Sequence, residues 1–249
     1  MSKILGIDVG ATGIKGAIVD TSDGKLISDR IKLATPKSGM PKDMVKTLHE
    51  LIKKHDWQGK DFGVGFPAVI LNDIVMTASN IDDSWIGQDI VKMIRKQTGM
   101  STTVVNDADA AGMAEISFGH GKGMSGTVLL LTLGTGIGSA LFRDGKLLRN
   151  TELGHLQYKG KKAEKLVSNA ARLKRELDWK TYGKELGDYL DYVNRLFYPN
   201  LIILGGGISK KFDNYKNYFP EYLNVVPASK QNNAGIVGAA MCSVSNKKG

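Results

Sequence analysis

Several short stretches combine residue types that could handle phosphate and hydroxyl groups. "DVGATGIKG" (8–16) takes an aspartate off an apolar run into glycines, a threonine and a lysine. "LTLGTGIGSALF" (131–142) repeats the arrangement, and "LGGGIS" (204–209) adds a third glycine cluster. Glycine lets backbone N–H groups curl toward one point and approach an anion closely. Thr12 and Thr135 would each add a hydroxyl donor to such a cradle. Asp8, at a strand end, would hold Mg2+ through water against a polyphosphate. Lys15 has the charge a phosphate needs, or simply sits on the surface of a hairpin. A lone glycine hairpin is more often only a turn; a second copy at a matching place shifts the reading toward phosphate. The "GGG" loop, with Gly205 and Gly206, closes a strand and opens a helix, a common setting for phosphate. No Gly-Lys pair is followed by Ser or Thr, and "GTGIG" lacks the GxGxxG spacing, so neither a Walker loop nor a dinucleotide fingerprint is present.

"VVNDADAAG" (104–112) places polar residues at the end of a buried strand, ahead of a helix. Asp107 or Asp109 could do no more than cap that helix. Alternatively, Asp107 is a general base taking a proton from an attacking hydroxyl, as phosphoryl transfer requires. "NTELGHLQYKGKKAEK" (150–165) carries Glu152, His155 and Glu164, and carboxylates accept paired sugar hydroxyls well. His155 alone would more often be structural. Asn80, in "ASNIDDSW" (78–85), is a sugar contact or a turn residue.

The elements that must carry these residues follow from periodicity. "KILGIDVG" and "IKGAIVD" read as a β-hairpin, with "GKLISDRIKLA" a third strand. "KDMVKTLHELIKKH" has helical apolar spacing at Met44, Val45, Leu48, Leu51 and Ile52. "DFGVGFPAVI" is a buried strand, and "IGQDIVKMIRKQTG" a helix stopped by Gly99. "STTVVNDADAAGMAEISFG" is a strand running into a small-residue helix. Beyond "GTVLLLTLGTGIGSALFRDGKLL" come helices near 162–176 and 179–197, the strand "NLIILGGG", a helix start at "ISKKF" and a terminal small-residue helix. "DVGATGIKGAIVDTSDGKLI" and "LTLGTGIGSALFRDGKLL" form an internal repeat. It predicts two duplicated α/β domains, 1–109 and 110–249, with the last helix (234–246) packing back onto the first, and a ligand cleft between them.

The net charge of +9 over 249 residues fits either a lysine-rich soluble surface or a polyanionic partner. No basic run is interleaved with aromatics, so nucleic acid is the weaker polyanion and is not expected as a partner. One cysteine, Cys242, excludes an intramolecular disulfide and a thiolate cluster, which suits a reducing, cytoplasmic setting. No apolar run is long enough to span a membrane, and the start "MSKILGIDVG" enters a strand directly, so neither a membrane partner nor a signal peptide is expected.

"DVGATGIKG", "VVNDADAAG", "LTLGTGIGSAL", "TELGH" and "LIILGGGIS" occur in the order found in the ROK family of sugar kinases, relatives of hexokinase and actin, which the chain resembles along essentially its whole length. The stretches "TELGH…GK.AE", "P.LIILGGGISKK" and "NNAGIVGAA" resemble the polyphosphate-using branch of that family. The resemblance implies duplicated ribonuclease H-like domains with an interdomain active-site cleft. It implies Mg2+-dependent transfer of a phosphoryl group from polyphosphate, ATP or both to the 6-hydroxyl of glucose. Asp107 would be the base; Asn80, Asn106, Asp107, Glu152, His155 and Glu164 would hold the sugar. Asp8, Gly10, Thr12, Lys15, Gly134, Thr135, Gly136, Gly205 and Gly206 would line the donor site. Many family members follow the histidine of "ExGH" with a cysteine-rich zinc motif; "LQYKGKKA" stands there instead, so no zinc is expected. A homodimer is expected by the same analogy. Rival readings are a kinase for mannose, fructose or N-acetylmannosamine, a sugar-sensing regulator, for which no helix-turn-helix precedes the strand at Lys3, and a basic nucleic-acid binder.

Overall fold

The computed structural model describes residues 3–79, 81–229 and 233–245. The chain divides into two compact units, Met1–Phe118 with Asn232–Gly249, and Gly119–Gln231. In order, the first contains β1 (Lys3–Gly10), β2 (Gly13–Asp20), β3 (Ile31–Leu33), α1 (Pro41–Lys54) and β4 (Asp61–Phe66). The small hairpin β5 (Ile70–Leu71) and β6 (Ile74–Val75), then α2 (Ile90–Thr98), β7 (Ser101–Asn106) and α3 (Asp107–Phe118) follow. The sheet order is β3-β2-β1-β4-β7; the first three strands are antiparallel, and β4 and β7 run parallel to β1.

Alternation along β1 sorts the layers, because successive side chains point to opposite faces. Leu5, Ile7 and Val9 join a core with Met44, Val45, Leu48, Leu51 and Ile52 of α1 and with Trp85 and Ile94. Ile4 belongs instead to the cluster that contains Ala114 of α3 and Ile236, Val237 and Ala240 of the chain's last helix, α7 (Ala234–Ser245). On that side the sheet is lined by glycine. A Cβ at Gly63 would collide with the Ala239 carbonyl, and one at Gly238 with the Ala110 carbonyl. This close approach explains why α3 and α7 are built of small residues. It also explains why the first unit runs past the boundary read at 109/110 to Phe118: α3 is one uninterrupted helix packed against α7 and β4.

The second unit contains β8 (Thr127–Leu133), β9 (Ile137–Arg143), β10 (Lys146–Leu148) and the small hairpin β11 (Gln157–Tyr158) and β12 (Lys161–Lys162). Helices α4 (Glu164–Val167), α5 (Asn169–Lys174) and α6 (Trp179–Phe197) precede β13 (Leu201–Gly205) and β14 (Val225–Pro227). Its sheet order, β10-β9-β8-β13-β14, repeats that of the first unit strand for strand. Asp178 caps α6, accepting from the Thr181 N–H at 2.7 Å, and Tyr182, Leu186, Tyr189, Leu190 and Val193 bury its inner face.

Two expectations need correction. The helix expected over 162–176 is broken at Ser168, whose extended backbone ends α4 while its hydroxyl caps α5 through the Ala171 N–H. The helix start expected at "ISKKF" is present, as the 3-10 helix Gly207–Asn214. The third strand is limited to Ile31–Leu33, with one isolated bridge between Val19 and Leu26. β14 had no sequence signal: three residues ending in proline show no alternation to read. Among the described residues, no helix is long and apolar enough to cross a membrane.

Candidate functional site

In the first unit, the β1–β2 hairpin closes on the pair Gly10↔Gly13, leaving Ala11 and Thr12 exposed at its tip. The Gly10 carbonyl is tied back, accepting from the Thr35 hydroxyl at 2.6 Å. Asp8 lies opposite Lys15 across the ladder, with Oδ2 and Nζ 3.5 Å apart. Burial pushes the Asp8 carboxyl above the usual carboxylate range, against the pull of Lys15 and then Arg30. The start of α7 comes close on the other side: a Cβ at Gly235 would sit 2.7 Å from the Asp8 carboxyl carbon. Arg30 was not singled out from sequence. Its two-residue offset from Lys32, on the strand beside Lys15, was the available signal.

At the far end of the same sheet, β7 delivers Asn106 and α3 begins at Asp107. Asn106 is buried; its amide donates to the Ala68 carbonyl at 3.2 Å, and its Oδ1 accepts from the Ala108 N–H at 2.8 Å. Asp107 Oδ1 also accepts from the Ala108 N–H at 2.8 Å. Asp107 is exposed, whereas Asp109 is 1% exposed. Of this cluster, Asp107 is the carboxylate presented to solvent.

In the second unit, the β8–β9 turn repeats the hairpin. Thr135 is exposed at the tip, and the Gly134 carbonyl is tied back by the Ala170 N–H at 3.0 Å. In both copies the first glycine's carbonyl is engaged by a donor from outside the hairpin. Gly205 pairs with Thr132, and Gly206 follows with φ 80°, where a Cβ would lie 2.6 Å from the Leu133 carbonyl oxygen. Only glycine takes that left-handed backbone without strain at such contact. The Gly205–Gly206 corner and the Gly134–Gly136 turn therefore lie side by side.

The "TELGH" stretch is fastened to the same turn. Ser139 Oγ donates to the Thr151 carbonyl at 2.6 Å and accepts from the Leu153 N–H at 3.0 Å, while the Tyr189 hydroxyl donates to the Leu153 carbonyl at 3.0 Å. Glu164 closes over the turn: a Cβ at Gly136 would be 2.6 Å from its Oε2. Burial pushes the Glu152 carboxyl up, His155 pulls it down, and Glu164 pushes it up again, so the three side chains form one electrostatic group. Ser139 and Tyr189, which hold this group in place, gave no sequence signal beyond their place in a strand and a helix. Asn80 lies outside the described residues. Among the described residues, no three of His, Cys, Asp and Glu are grouped to hold a metal ion.

A raised folded-state value means that the folded chain holds the Glu152 proton more tightly than the unfolded chain. That stability is present at acid pH and is lost as pH rises through the folded-state value. Glu152→Gln is expected to stabilise the chain at neutral pH by about 0.5 kcal/mol, in the range of partly exposed substitutions. The gain should vanish at acid pH, and urea unfolding at both pH values checks it. A neutral-pH loss of stability would contradict it.

Two units of three antiparallel strands followed by two parallel ones, each opening on a glycine hairpin, define the ribonuclease H-like fold of the actin and hexokinase type. The family model described as the ROK family matches residues 4–171, and the chain belongs to that family. It is 45% identical over 242 residues to a polyphosphate glucokinase of Mycobacterium tuberculosis, covering 97% of this chain and 91% of the relative. The crystal structure of an inorganic polyphosphate/ATP-glucomannokinase from Arthrobacter sp. strain KM superposes with a TM-score of 0.90 at 43% identity, covering 97% and 98% of the two chains. A ROK family glucokinase from Streptomyces griseus, solved with glucose and AMPPNP, shares the fold at a TM-score of 0.83 and 22% identity over 98% and 100% of the chains.

Proposed function

We propose that this protein is a glucokinase that transfers a phosphoryl group from inorganic polyphosphate or ATP to the 6-hydroxyl of glucose. The observation that carries the reading is the 45% identity, over 97% of the chain, to a polyphosphate glucokinase. The exposed Asp107, directly after a parallel strand and first in α3, supports it, since base catalysis needs a carboxylate that substrate can reach. Asp107 takes the proton from the attacking hydroxyl. Asn80, Asn106, Glu152, His155 and Glu164 hold the sugar's hydroxyls. The tips at Gly10–Thr12 and Gly134–Gly136, the Gly205–Gly206 corner, Asp8 and Lys15 receive the donor's phosphates. The protein works in the cytoplasm as a homodimer.

A single carboxylate beside a lysine suits Mg2+ held through its water shell, because direct protein cages for this ion need more oxygens. When bound, the ion would neutralise charge on the transferring phosphates; Asp8 would accept from its waters. Mannose is a second acceptor, a reading favoured by the likeness to a glucomannokinase. The test is to measure hexose 6-phosphate formation from polyphosphate and from ATP separately, across glucose, mannose, fructose and N-acetylmannosamine. Product with glucose is expected from at least one donor, and no product from either with any sugar would overturn the kinase reading.

A further inference from the structure

In the first sheet, Asp8 of β1 lies opposite Lys15 of β2, and Lys15 lies opposite Lys32 of β3. Opposed residues of antiparallel strands share a face at roughly 5 Å, so three ionic side chains form a row across the sheet. Arg30, two residues before Lys32, acts electrostatically on Asp8, and its guanidinium reaches the Asn233 side-chain oxygen at 3.4 Å. Placing Lys32 directly opposite Lys15 opposes like charges, an arrangement that disfavours the fold. Among the described residues no carboxylate pairs with Lys32 to offset it. Its stem leans toward the hairpin tip: a Cβ at Gly13 would collide with Lys32 Cε. The side chain therefore runs over Gly13, the residue that closes the hairpin ladder against Gly10.

We infer that Lys32 is a donor-selecting residue that binds the part of a polyphosphate chain lying beyond the phosphates at Asp8 and Lys15. This rests on the kinase reading above. A nucleotide's charge ends after three phosphates and continues as nucleoside, whereas inorganic polyphosphate continues as anion and meets the next cation of the row. Lys32 stands one strand farther from Asp8 than Lys15 does, so it rewards a donor whose charge extends. It touches no reacting atom and acts on donor affinity alone.

The test compares wild type, Lys32→Met and Lys32→Arg with long-chain polyphosphate and with ATP as donors. Lys32→Met keeps the stem and is expected to raise KM for long-chain polyphosphate about fivefold at unchanged kcat, as loss of one charge-assisted contact would. KM for ATP and for glucose should stay within twofold, and Lys32→Arg should restore polyphosphate KM. The slope of log kcat/KM against log salt should fall by about one for polyphosphate, the counterion-release signature of one lost contact. Equilibrium dialysis of long-chain polyphosphate against wild type and Lys32→Met reads the same loss without turnover. Removing the like-charge opposition should also raise stability slightly at low salt, so a rise in polyphosphate KM would not come from a weakened fold. An unchanged polyphosphate KM in Lys32→Met, or equal rises for polyphosphate and ATP, overturns the assignment while leaving the kinase reading intact. A wild type inactive with polyphosphate overturns both the polyphosphate part of that reading and this inference.

Discussion

Asp107→Asn is expected to lower kcat for sugar phosphorylation by about 10²–10⁴-fold, the usual contribution of a positioned general base. KM for glucose should change by no more than a few fold, because the amide retains an oxygen in the same place. The fold should survive. Asn106 Oδ1 already accepts from the Ala108 N–H at 2.8 Å, and asparagine is as good a residue as aspartate at a helix start. The position is exposed, so no buried charge is exchanged for a dipole. Far-UV circular dichroism and the urea midpoint of the variant should match wild type, which assigns the loss to chemistry. Single-turnover kinetics with saturating donor separate the chemical step from release. A variant with wild-type kcat would remove Asp107 from the base role, and a variant that loses kcat only because it unfolds would show it in the midpoint.

Why Asp107 and not Asp109 faces solvent illustrates where sequence reading stops. On an α-helix these positions lie about 200° apart, so one must turn inward when the other turns out. The pattern "NDAD" shows that much; the choice depends on how β7 hands the chain to α3, which only the packed sheet decides. The duplication was legible for the opposite reason. A strand, a glycine turn and a strand are local, and their recurrence at 131–142 needs no knowledge of tertiary contacts. The matching sheet orders follow from the repeat, but β14 and the break at Ser168 do not, since each depends on neighbours far away in sequence. The Lys15–Lys32 opposition was hidden similarly: each lysine reads as surface until strand register places them face to face. Glu164 closing over Gly136 was half visible, as a carboxylate of the right type, without its partner.

The second large effect concerns the helices α3 and α7, the first of which begins at Asp107. Gly238→Val is expected to destabilise the first unit by about 3–5 kcal/mol, at the severe end for overpacking. A Cβ at Gly238 would run into the carbonyl oxygen and carbon of Ala110, and its nearest neighbours are all backbone atoms of α3. Backbone cannot rotate aside as a side chain would, so the two helices must separate along their contact. Separation uncovers Ile236, Val237, Ala240 and Ala114, which are buried together. It also lifts α7 from β4, where Gly63 accepts the Ala239 carbonyl only because it lacks a side chain. Gly207→Ala provides the control: its φ is unremarkable, nothing lies within 4 Å of the added carbon, and a change below about 0.5 kcal/mol is expected. Urea unfolding followed by tryptophan fluorescence reports on the first unit through Trp57 and Trp85, both of which pack in its core. Because Asp107 is the first residue of α3, kcat should fall in Gly238→Val even below the unfolding midpoint, whereas Asp107→Asn lowers kcat at full stability. A Gly238→Val variant within about 0.5 kcal/mol of wild type would mean that α3 and α7 slide past one another freely, and close helix contact would then no longer explain the glycines that line this face of the sheet.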